Sequence, residues 1–381
     1  MVVIARRVLF PTKQSSVTFK QIIDRENQSS FYNFAPPLRY NFLMPRICIV
    51  PAVDGIGGMA SFRQKFEAGL KARGMGVTHN PGDPSEAVLV IAGTRNLLPL
   101  WRARRRGLRI VQRLDGLNWI HRKRNTGLRH FMRAEYGNFI LSLIRARLAT
   151  HILYQSEFSH RWWDDKYGKV PAHYSVVHNG VDLSEYRPDS QGVLSTGRYR
   201  LLVVEGNLGG GYDMGLDNAI QLAEALAERH AFPMELVVVG KITGEHKAAV
   251  QARSRVPILW AGVLPHEQIP GMDRSAHLLF SADLNPACPN SVIEALACGL
   301  PVVAFDTGAM NELILGDSGR LVPYGGDPWK LDRPDIPALA VAAAEILHDR
   351  PRFSAAARSQ AEKALGLDRM MDGYLKALLE D

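Results

Sequence analysis

The residue types best suited to chemistry in this chain lie close together in the segment 281–313. Its pattern predicts a strand, a loop, a helix, a second strand and a second loop. Asn290 and Ser291 are typical capping residues, so a helix beginning near Val292 would turn its free backbone N–H groups toward the preceding loop. Such a helix N-terminus can hold a pyrophosphate, and Glu294 follows one turn later. The segment therefore predicts a site for a phosphorylated ligand.

Glu294 has two interpretations that its spacing leaves open. Ser291-x-x-Glu294 is the spacing of a capping box, in which the carboxylate accepts a hydrogen bond from the backbone N–H of Ser291. In the other interpretation the carboxylate binds the ligand. Asp283, Asn285 and Asn290 are further polar residues of the same segment, and Asn290 is placed to contact a bound sugar.

The sequence 294–303, EALACGLPVV, resembles part of the donor-site signature of the retaining GT-B glycosyltransferases of family four. That signature is a Glu, seven residues, a second Glu, and then Ala-hydrophobic-Ala-x-Gly-x-Pro-Val. Three other segments are similar to the family and occur in its order. They are Gly57-Gly58, residues 154–158 with their Ser-Glu pair, and Asn-Gly-Val-Asp at 179–182. The resemblance runs from about residue 45 to the C-terminus.

The resemblance implies a reaction as well as a fold. It implies that this protein moves a sugar, of the hexose type, from a nucleotide-diphosphate donor to a glycan or lipid-linked acceptor with retention of configuration, and we expect it to act in cell-envelope or exopolysaccharide synthesis. No metal or other cofactor takes part, because helix N-termini and basic side chains neutralise the leaving diphosphate. The chain also lacks an Asp-x-Asp motif, which the metal-bridged class uses. The donor-binding residues expected here are Gly57, Gly58, Gly206, Asn207, Gly209, Gly210, Gly211, Asn290, Ser291, Val292 and Glu294.

Three positions depart from the family pattern. Pro286 stands where the first Glu of the signature falls, Asn207 replaces an Arg, and Met214 replaces a Lys. One alternative is therefore a non-catalytic module that binds nucleotide sugars at a degenerate site, and another is a sugar-nucleotide epimerase of the same fold. If the site is active, the backbone N–H groups of residues 209–211 and the amide of Asn207 are expected to replace the missing charges.

The catalytic candidates lie in the N-terminal half. Arg113 and Asp115 follow a predicted strand and so lie at its carboxyl end. We expect Asp115 to face the reacting centre and Arg113 to supply a replacement cation, whereas the alternative is a simple Asp-Gly turn beside a surface Arg. His121 and Glu312 are expected to support the site without touching the reacting atoms.

Apolar runs and helical periodicity predict the elements that position these residues. Strands are predicted at 46–50, 88–92, 108–112, 149–154, 199–205, 234–239, 258–260 and 302–305. Helices are predicted at 59–73, 216–229 and 368–379, in addition to the one near Val292. Asn179-Gly180 is predicted to form a turn with a positive φ.

This alternation of strands and helices predicts an α/β protein with the GT-B architecture. Two Rossmann-like domains, each with a doubly wound parallel sheet, would face one another across a cleft that holds the site. The expected boundaries are a poorly ordered extension at 1–44, an acceptor-side domain at 45–190, a nucleotide-sugar-binding domain at 191–355, and a helical segment at 356–381 that packs back on the N-terminal domain.

Composition is consistent with this organisation. A chain of 381 residues that is 46% hydrophobic can bury two cores of roughly 150 residues each. The three cysteines form neither a metal-ligand spacing nor an even disulfide set, which is typical of a reducing cytoplasm. No apolar run reaches the length of about 18 residues that spans a bilayer.

Charge is divided unevenly along the chain, whose net charge is +8. Basic residues outnumber acidic ones in 45–190, and the reverse holds in 191–381. Clusters at 102–109 and 122–124 predict an anionic membrane surface as partner, on the cytoplasmic face, while the alternative is a solvated charged helix. Nucleic acid is not expected, because aromatic residues do not interleave with the basic ones.

Overall fold

The structure, a computed structural model, describes most of the chain. The described residues are 44–53, 55, 57–189, 197–209 and 213–380. Within them, two six-stranded sheets are present, and all neighbouring strands in both are parallel. The predicted extension at 1–44 lies outside the described residues apart from Met44.

The first sheet belongs to the N-terminal domain. Its strands are β1 (Arg46–Val50), β2 (Gly76–Thr78), β3 (Ala87–Ile91), β4 (Arg109–Leu114), β5 (His151–Tyr154) and β6 (His173–Val176). They lie in the order β2-β1-β3-β4-β5-β6. Every residue of β3, AVLVI, is buried, as expected for a parallel strand covered on both faces. The two strands of this sheet that apolar runs did not predict, β2 and β6, are short and lie at the sheet edges, where burial is incomplete.

The second sheet belongs to the C-terminal domain. Its strands are β7 (Tyr199–Asn207), β8 (Met234–Lys241), β9 (Ile258–Gly262), β10 (Leu278–Phe280), β11 (Val302–Phe305) and β12 (Gly319–Val322). They lie in the order β12-β11-β10-β7-β8-β9. The chain reverses its direction of travel across the sheet between β7 and β10, so a crevice opens at the carboxyl ends of these two strands.

Helices connect the strands of both sheets. They are α1 (Gly58–Ala72), α2 (Leu97–Arg105), α3 (Leu128–Arg147), α4 (Glu157–Tyr167), α5 (Asp213–Arg229), α6 (Gly244–Arg253), α7 (Ile269–Ser275), α8 (Asn290–Ala297), α9 (Met310–Leu313), α10 (Ile336–His348), α11 (Arg350–Ala364) and α12 (Leu367–Leu379). Side-chain caps fix some of their starts: the Ser156 hydroxyl accepts from the backbone N–H of Ser159 at 3.1 Å, and Asp335 accepts from that of Ala338 at 2.9 Å.

The C-terminal segment consists of two helices with different partners. α11 packs on α8 in the C-terminal domain, where Ala357 and Ala361 are buried. α12 crosses to the first sheet, and the ring of Tyr374 lies 5.1 Å from that of Phe62. A Cβ on Gly69 would meet the sulfur of Met371 at 2.7 Å, so this glycine lets α12 approach α1 closely.

The Asn179-Gly180 turn differs from its prediction. Neither residue is among those with a positive φ. A Cβ on Gly180 would instead lie 2.9 Å from the Cα of Leu367. The backbone N–H of Leu367 also donates to the carbonyl of Val181 at 2.9 Å. The glycine is therefore required by the close approach of the chain that enters α12, and backbone handedness plays no part.

Candidate active site

A cleft of about 1270 Å³ lies at the carboxyl ends of strands from both sheets. The end of β7 and the loops that follow β1, β4, β9 and β10 line it, together with the first turn of α8. Parallel α/β sheets bind their ligands at this edge, because helix N-termini and loop side chains converge there. The cleft brings most of the sequence-predicted site residues together.

α8 starts slightly earlier than predicted and has a different cap. It begins at Asn290, with Pro289 in the capping position and no side-chain cap. The preceding strand ends at Phe280, so residues 281–289 form a loop, where the sequence predicted a strand at the start of this segment. The capping-box interpretation is wrong, because the Glu294 carboxylate has other partners.

Glu294 is buried, and its carboxylate pairs across the cleft. Its Oε1 lies 3.1 Å from Nζ of Lys65 on α1 and 3.2 Å from Nε2 of His266. The hydroxyl of Tyr186 lies within 3.1 Å of the His266 ring nitrogens. Lys65 belongs to the N-terminal domain, so its ion pair with Glu294 joins the two domains at α8. A ligand that donates hydrogen bonds to this carboxylate would therefore lie beside Lys65 and His266.

The first turn of α8 offers mainly backbone groups. Asn290 and Ser291 line the cleft. Oδ1 of Asn290 accepts a hydrogen bond from Nδ2 of Asn179 at 3.0 Å. The side chain of Val292 is fully buried in the core, so only its backbone N–H is available at the helix start. This arrangement suits an anion held by the helix N-terminus.

The glycines of the first loop leave space beside the cleft. Gly57 has a φ of 139°, which favours glycine, and a Cβ on Gly57 or Gly58 would meet nothing within 4 Å. Both residues line the cleft, and so does Gly206 at the end of β7. A ligand can therefore approach the backbone of these loops directly.

Asn207 and the glycines that follow it, which were predicted to replace the missing cations, are not all part of the main cleft. Asn207 and Met214 line a smaller neighbouring cavity of about 210 Å³. Nδ2 of Asn207 donates to the carbonyl of Gly209 at 3.3 Å. Gly210 and Gly211 lie outside the described residues. Gly215 is required by packing, because its Cβ would lie 2.3 Å from the carbonyl oxygen of Ala282.

The loop around Pro286 presents an unpaired amide to the cleft. Asn285 is 5% exposed, lines the cleft, and has a φ of 57°. Its Nδ2 has no hydrogen-bond partner. The carbonyl of Pro286 accepts from the backbone N–H of Ala309 at 2.8 Å, and a Cβ on Gly308 would meet that carbonyl oxygen at 2.4 Å. A buried donor without a partner is a candidate ligand contact.

Arg113 lies beside the cleft but is engaged within the protein. It is buried, its guanidinium lies 4.0 Å above the ring of Phe62, and its Nη2 donates to Oδ1 of Asn179 at 2.9 Å. Asn179 in turn donates to Asn290 at the start of α8. The surface-charge alternative is wrong for this residue, and its contacts link β4 to α8.

Asp115 lines the cleft at the end of β4. Its backbone carbonyl accepts from the Ser159 hydroxyl at 2.8 Å and from the Trp163 indole at 2.7 Å, which holds the residue in place from behind. Burial raises the pKa of the Asp115 carboxyl, and the neighbouring Arg113 partly opposes this shift. A carboxyl group of raised pKa therefore lies beside Arg113 at the edge of the cleft.

Glu205 is a site residue that the sequence analysis missed. It lies near the end of β7, two residues beyond the buried stretch of that strand, and lines the cleft with Asp283, which follows β10. Burial raises the pKa of both carboxyls, and the charge of Asp283 adds to the effect on Glu205. Glu205 reads as a strand residue in the sequence, and its position before Gly206 was the available signal.

The two supporting candidates lie away from the cleft lining. His121 is buried, and its Nε2 lies 2.8 Å from Oε1 of Glu135. Glu312 accepts hydrogen bonds from the backbone N–H groups of Glu157 and Phe158, both at 2.8 Å, and so caps α4 of the other domain. Glu312 therefore joins the two domains.

The fold and the cleft define a GT-B glycosyltransferase scaffold, which confirms the predicted fold class. Sucrose-phosphate synthase from Thermosynechococcus elongatus has a similar structure, with a TM-score of 0.66 and 15% identity over 87% of this chain and 97% of that one. Anabaena HepE in complex with UDP and glucose is similar with a TM-score of 0.63 and 13% identity, over 88% and 99% of the two chains. At these identities the likeness shows the fold alone.

Sequence comparison shows the family. Residues 200–349 match the model of the glycosyl transferases group 1. The chain is 30% identical to the lipopolysaccharide core biosynthesis mannosyltransferase LpcC of Rhizobium leguminosarum bv. viciae, over 73% of this chain and 83% of the relative. It is 31% identical to the corresponding LpsB of Rhizobium meliloti (strain 1021), but that match spans 38% of this chain and only 40% of the relative. The chain belongs to the group 1 glycosyltransferase family.

Proposed function

We propose that this protein transfers a hexose, with mannose the first candidate, from a nucleotide-diphosphate donor to a growing lipopolysaccharide core, with retention of configuration and without a metal ion. The observation that carries the proposal is the buried Glu294 one turn into α8, beside a cleft between two Rossmann-like domains. The names of the two relatives support mannose and the lipopolysaccharide core.

In the proposed complex, the donor diphosphate lies at the N-terminus of α8 and approaches the backbone of Gly57 and Gly58. The helix N-terminus supplies unpaired N–H groups and a partial positive charge. Glu294 accepts hydrogen bonds from the ribose hydroxyls, and the unpaired amide of Asn285 donates to the donor. Asp115 faces the anomeric carbon, where positive charge develops in the transition state.

The site must also tolerate two carboxyls near an anionic donor. Glu205 and Asp283 lie close to the positions where the family pattern has cations. Because burial and mutual repulsion raise their pKa values, the pair retains a proton at a higher pH than free carboxyls would. A protonated carboxyl can donate a hydrogen bond to the donor and adds no negative charge beside the diphosphate.

A donor screen tests this proposal. The purified protein is incubated with GDP-mannose and with a panel of UDP-sugars, with a truncated core oligosaccharide as acceptor, in the presence of EDTA. We expect one donor to be consumed and its sugar to be transferred without added metal. NMR of the product should show the anomeric configuration of the donor, since the proposal includes retention. Inversion, or a strict need for a divalent ion, would contradict those parts.

The same screen separates the alternative function. Calorimetric binding of a donor without transfer or hydrolysis would favour the non-catalytic module. Conversion of the sugar within the nucleotide, detected by NMR, would favour an epimerase. If no nucleotide sugar binds, both the transferase and the binding module are wrong.

We also propose that the protein works at the cytoplasmic face of an anionic membrane. No helix among the described residues is both long enough and apolar enough to cross a bilayer. Some of the predicted basic residues are engaged within the protein: Arg104 donates to the carbonyl of Arg147 at 3.0 Å, and Arg122 pairs with Glu135. The surface that supports the proposal lies instead on α2 and α3.

α3 exposes an apolar stripe with arginines beside it. Leu128, Met132, Tyr136 and Phe139 recur at helical spacing and are all exposed. Exposed arginines flank the stripe at 129 and 133. Leu98 and Trp101 of α2 are also exposed, and the guanidinium of Arg95, just before α2, lies 5.6 Å from the Tyr136 ring of α3. Apolar side chains among basic ones favour an anionic bilayer surface.

The double variant Met132→Asp, Phe139→Asp is expected to bind vesicles containing phosphatidylglycerol about tenfold or more weakly than the wild type. The two changes remove inserted apolar area and add repulsive charge. Vesicle co-sedimentation measures the effect. Val341→Asp is the matched control, since Val341 on the C-terminal domain is as exposed as Met132, at 61% for each. Equal loss in the control, or no loss in the double variant, would contradict this surface.

A further inference from the structure

Another cavity, of about 340 Å³ and called the side cavity below, opens from the side of the main cleft. The two share the lining residues Leu117, Asn118, Trp119 and Trp162, which follow β4 or belong to α4. A molecule in the side cavity would therefore lie against the loop that follows Asp115 and would border the main cleft. The donor proposal leaves this cavity unused.

Aromatic rings form one wall of the side cavity. The ring of Trp329, from the C-terminal domain, lies 4.9 Å from that of Trp119 and 4.9 Å from that of Trp162. A Cβ on Gly116 would meet Cζ3 of Trp162 at 2.7 Å, so this glycine is what admits the indole. All three indoles are only partly buried. Flat apolar walls with a few polar groups are typical of pockets for small organic ligands, and they suit the apolar faces of sugar rings.

The loop that carries Trp119 is fixed from beneath. Asn138 of α3 is buried, and its Oδ1 accepts from the backbone N–H of Asn118 at 3.1 Å. Its Nδ2 donates to the carbonyl of Asn118 at 2.8 Å. One side chain thus holds both backbone groups of the residue at the mouth of the cavity, which gives the wall a fixed shape before any ligand arrives.

The rim of the cavity is positively charged. Arg122, Lys123 and Lys166 contribute to its lining. The charge of Arg122 is compensated, because its guanidinium pairs with Glu135 and lowers the pKa of that carboxyl to about 2. Neither Lys123 nor Lys166 has an ion-pair partner among the residues that the structure describes. The two ammonium groups are free to bind an anion that enters between the indoles.

We infer that this side cavity binds the acceptor through an anionic sugar, with the sugar ring on the indoles and its negative group on Lys123 and Lys166. The inference rests on the proposed glycosyltransferase function and adds the chemical class of the acceptor. A carboxylate and a phosphate are both matched by ammonium groups at the rim, so the shared chemistry is a sugar that carries either one. A hydroxyl of this sugar, or of the unit attached to it, then faces Asp115.

The test uses simple probes of each part of that ligand. Glucose 6-phosphate, glucuronate, glucose and inorganic phosphate are titrated separately into the full-length protein, with ligand-observed NMR as readout. We expect at least one anionic sugar to bind more tightly than glucose and than inorganic phosphate. Whichever of the two anionic sugars binds more tightly shows whether the protein recognises a phosphate or a carboxylate.

Variants then locate the binding. Lys123→Ala and Lys166→Ala should each weaken binding of the anionic sugar by about fivefold, the scale of one exposed charge pair, and leave glucose binding unchanged. Lys169→Ala is the matched control, because Lys169 is exposed, lies close in sequence to Lys166 and does not line the cavity. Increased salt should weaken binding of the anionic sugar to the wild type more than to the double variant that combines Lys123→Ala with Lys166→Ala.

The inference is overturned if neither anionic sugar binds the wild type, if inorganic phosphate binds as well as both anionic sugars, or if the variant that lacks both lysines binds as the wild type does. Donor binding and transfer are measured on the same variants. If they persist while these probes fail, the acceptor class is wrong and the proposed function stands. If donor binding is absent from the wild type, the proposed function itself fails.

Discussion

Replacing Glu294 with Ala is expected to raise the dissociation constant of the nucleotide-sugar donor by about 100-fold. The carboxylate is buried at the start of α8, and we propose that it accepts hydrogen bonds from the donor ribose. Loss of hydrogen bonds to one charged group costs about 3 kcal/mol, which corresponds to this factor. Calorimetric titration of the donor into wild type and variant measures it.

Lys65→Met is the matched control for Glu294. It removes the 3.1 Å ion pair with Glu294 but leaves the carboxylate in place for the ribose. We expect its donor affinity to stay within about threefold of the wild type, because His266 remains within 3.2 Å of the carboxylate and keeps it in position. Equal losses in the two variants would mean that the contact between domains, rather than the ribose contact, controls donor binding.

Thermal unfolding provides the second control on Glu294. The Ala variant leaves Lys65 and His266 without their shared carboxylate, so some stability is lost. A loss within about 2 kcal/mol leaves the protein folded and the binding measurement interpretable. If donor affinity is unchanged and only the melting temperature falls, Glu294 has a purely structural role and the proposed donor site is wrong.

Replacing Asp115 with Asn is expected to lower kcat by about 10²–10³-fold, the scale on which a single electrostatic contact to a transition state acts. Asp115 lies at the carboxyl end of β4 and lines the cleft, and the Asn side chain has almost the same shape as the Asp side chain. The donor dissociation constant should change little, because the contact matters most when charge develops at the anomeric carbon. Steady-state kinetics with saturating donor measure the loss.

The pH profile gives an independent readout for Asp115. Burial raises the pKa of this carboxyl, and the charged form is the one that stabilises positive charge. In the wild type, kcat should therefore rise with pH through a carboxyl pKa above the ordinary range of about 4, and the Asn variant should lack this limb.

Asp165→Asn is the matched control for Asp115. Asp165 lies on α4 of the same domain, is exposed and does not line the cleft. Its variant should retain the kcat and the pH profile of the wild type. A normal kcat in Asp115→Asn would exclude Asp115 from the reaction and leave the cleft without its proposed catalytic carboxylate.

Local sequence was sufficient for the strands and helices that are strongly patterned. β1 and β11 have the bounds that apolar runs predict, and α12 begins within one residue of its predicted start. The short edge strands β2, β6 and β12 were missed, because most of their residues are only partly buried or exposed and they show no apolar run. Burial on both faces leaves a signal in sequence, whereas pairing at a sheet edge depends on backbone groups that every residue has.

The donor helix shows how far sequence reasoning reached within the site. The residues of α8 and the carboxylate at Glu294 could be selected from one segment, because a helix start and a buried strand have local signatures. The partner of Glu294 could not be selected, since Lys65 is 229 residues away in sequence. The capping box needs only residues within one helix turn, so the sequence allowed it. The structure excludes it, because the Glu294 carboxylate pairs with residues distant in sequence.

The sequence by itself determined the fold class, the family and the helix that carries the candidate donor site, because these depend on periodicity and short-range motifs. Only the tertiary structure decided which charges meet in the cleft. It paired Glu294 with Lys65, brought Glu205 beside Asp283, engaged Arg113 with Asn179, and placed Trp329 against Trp119. These contacts join loops at the carboxyl ends of different strands, and the distance between such loops in space is set by sheet order and domain packing rather than by their separation along the chain.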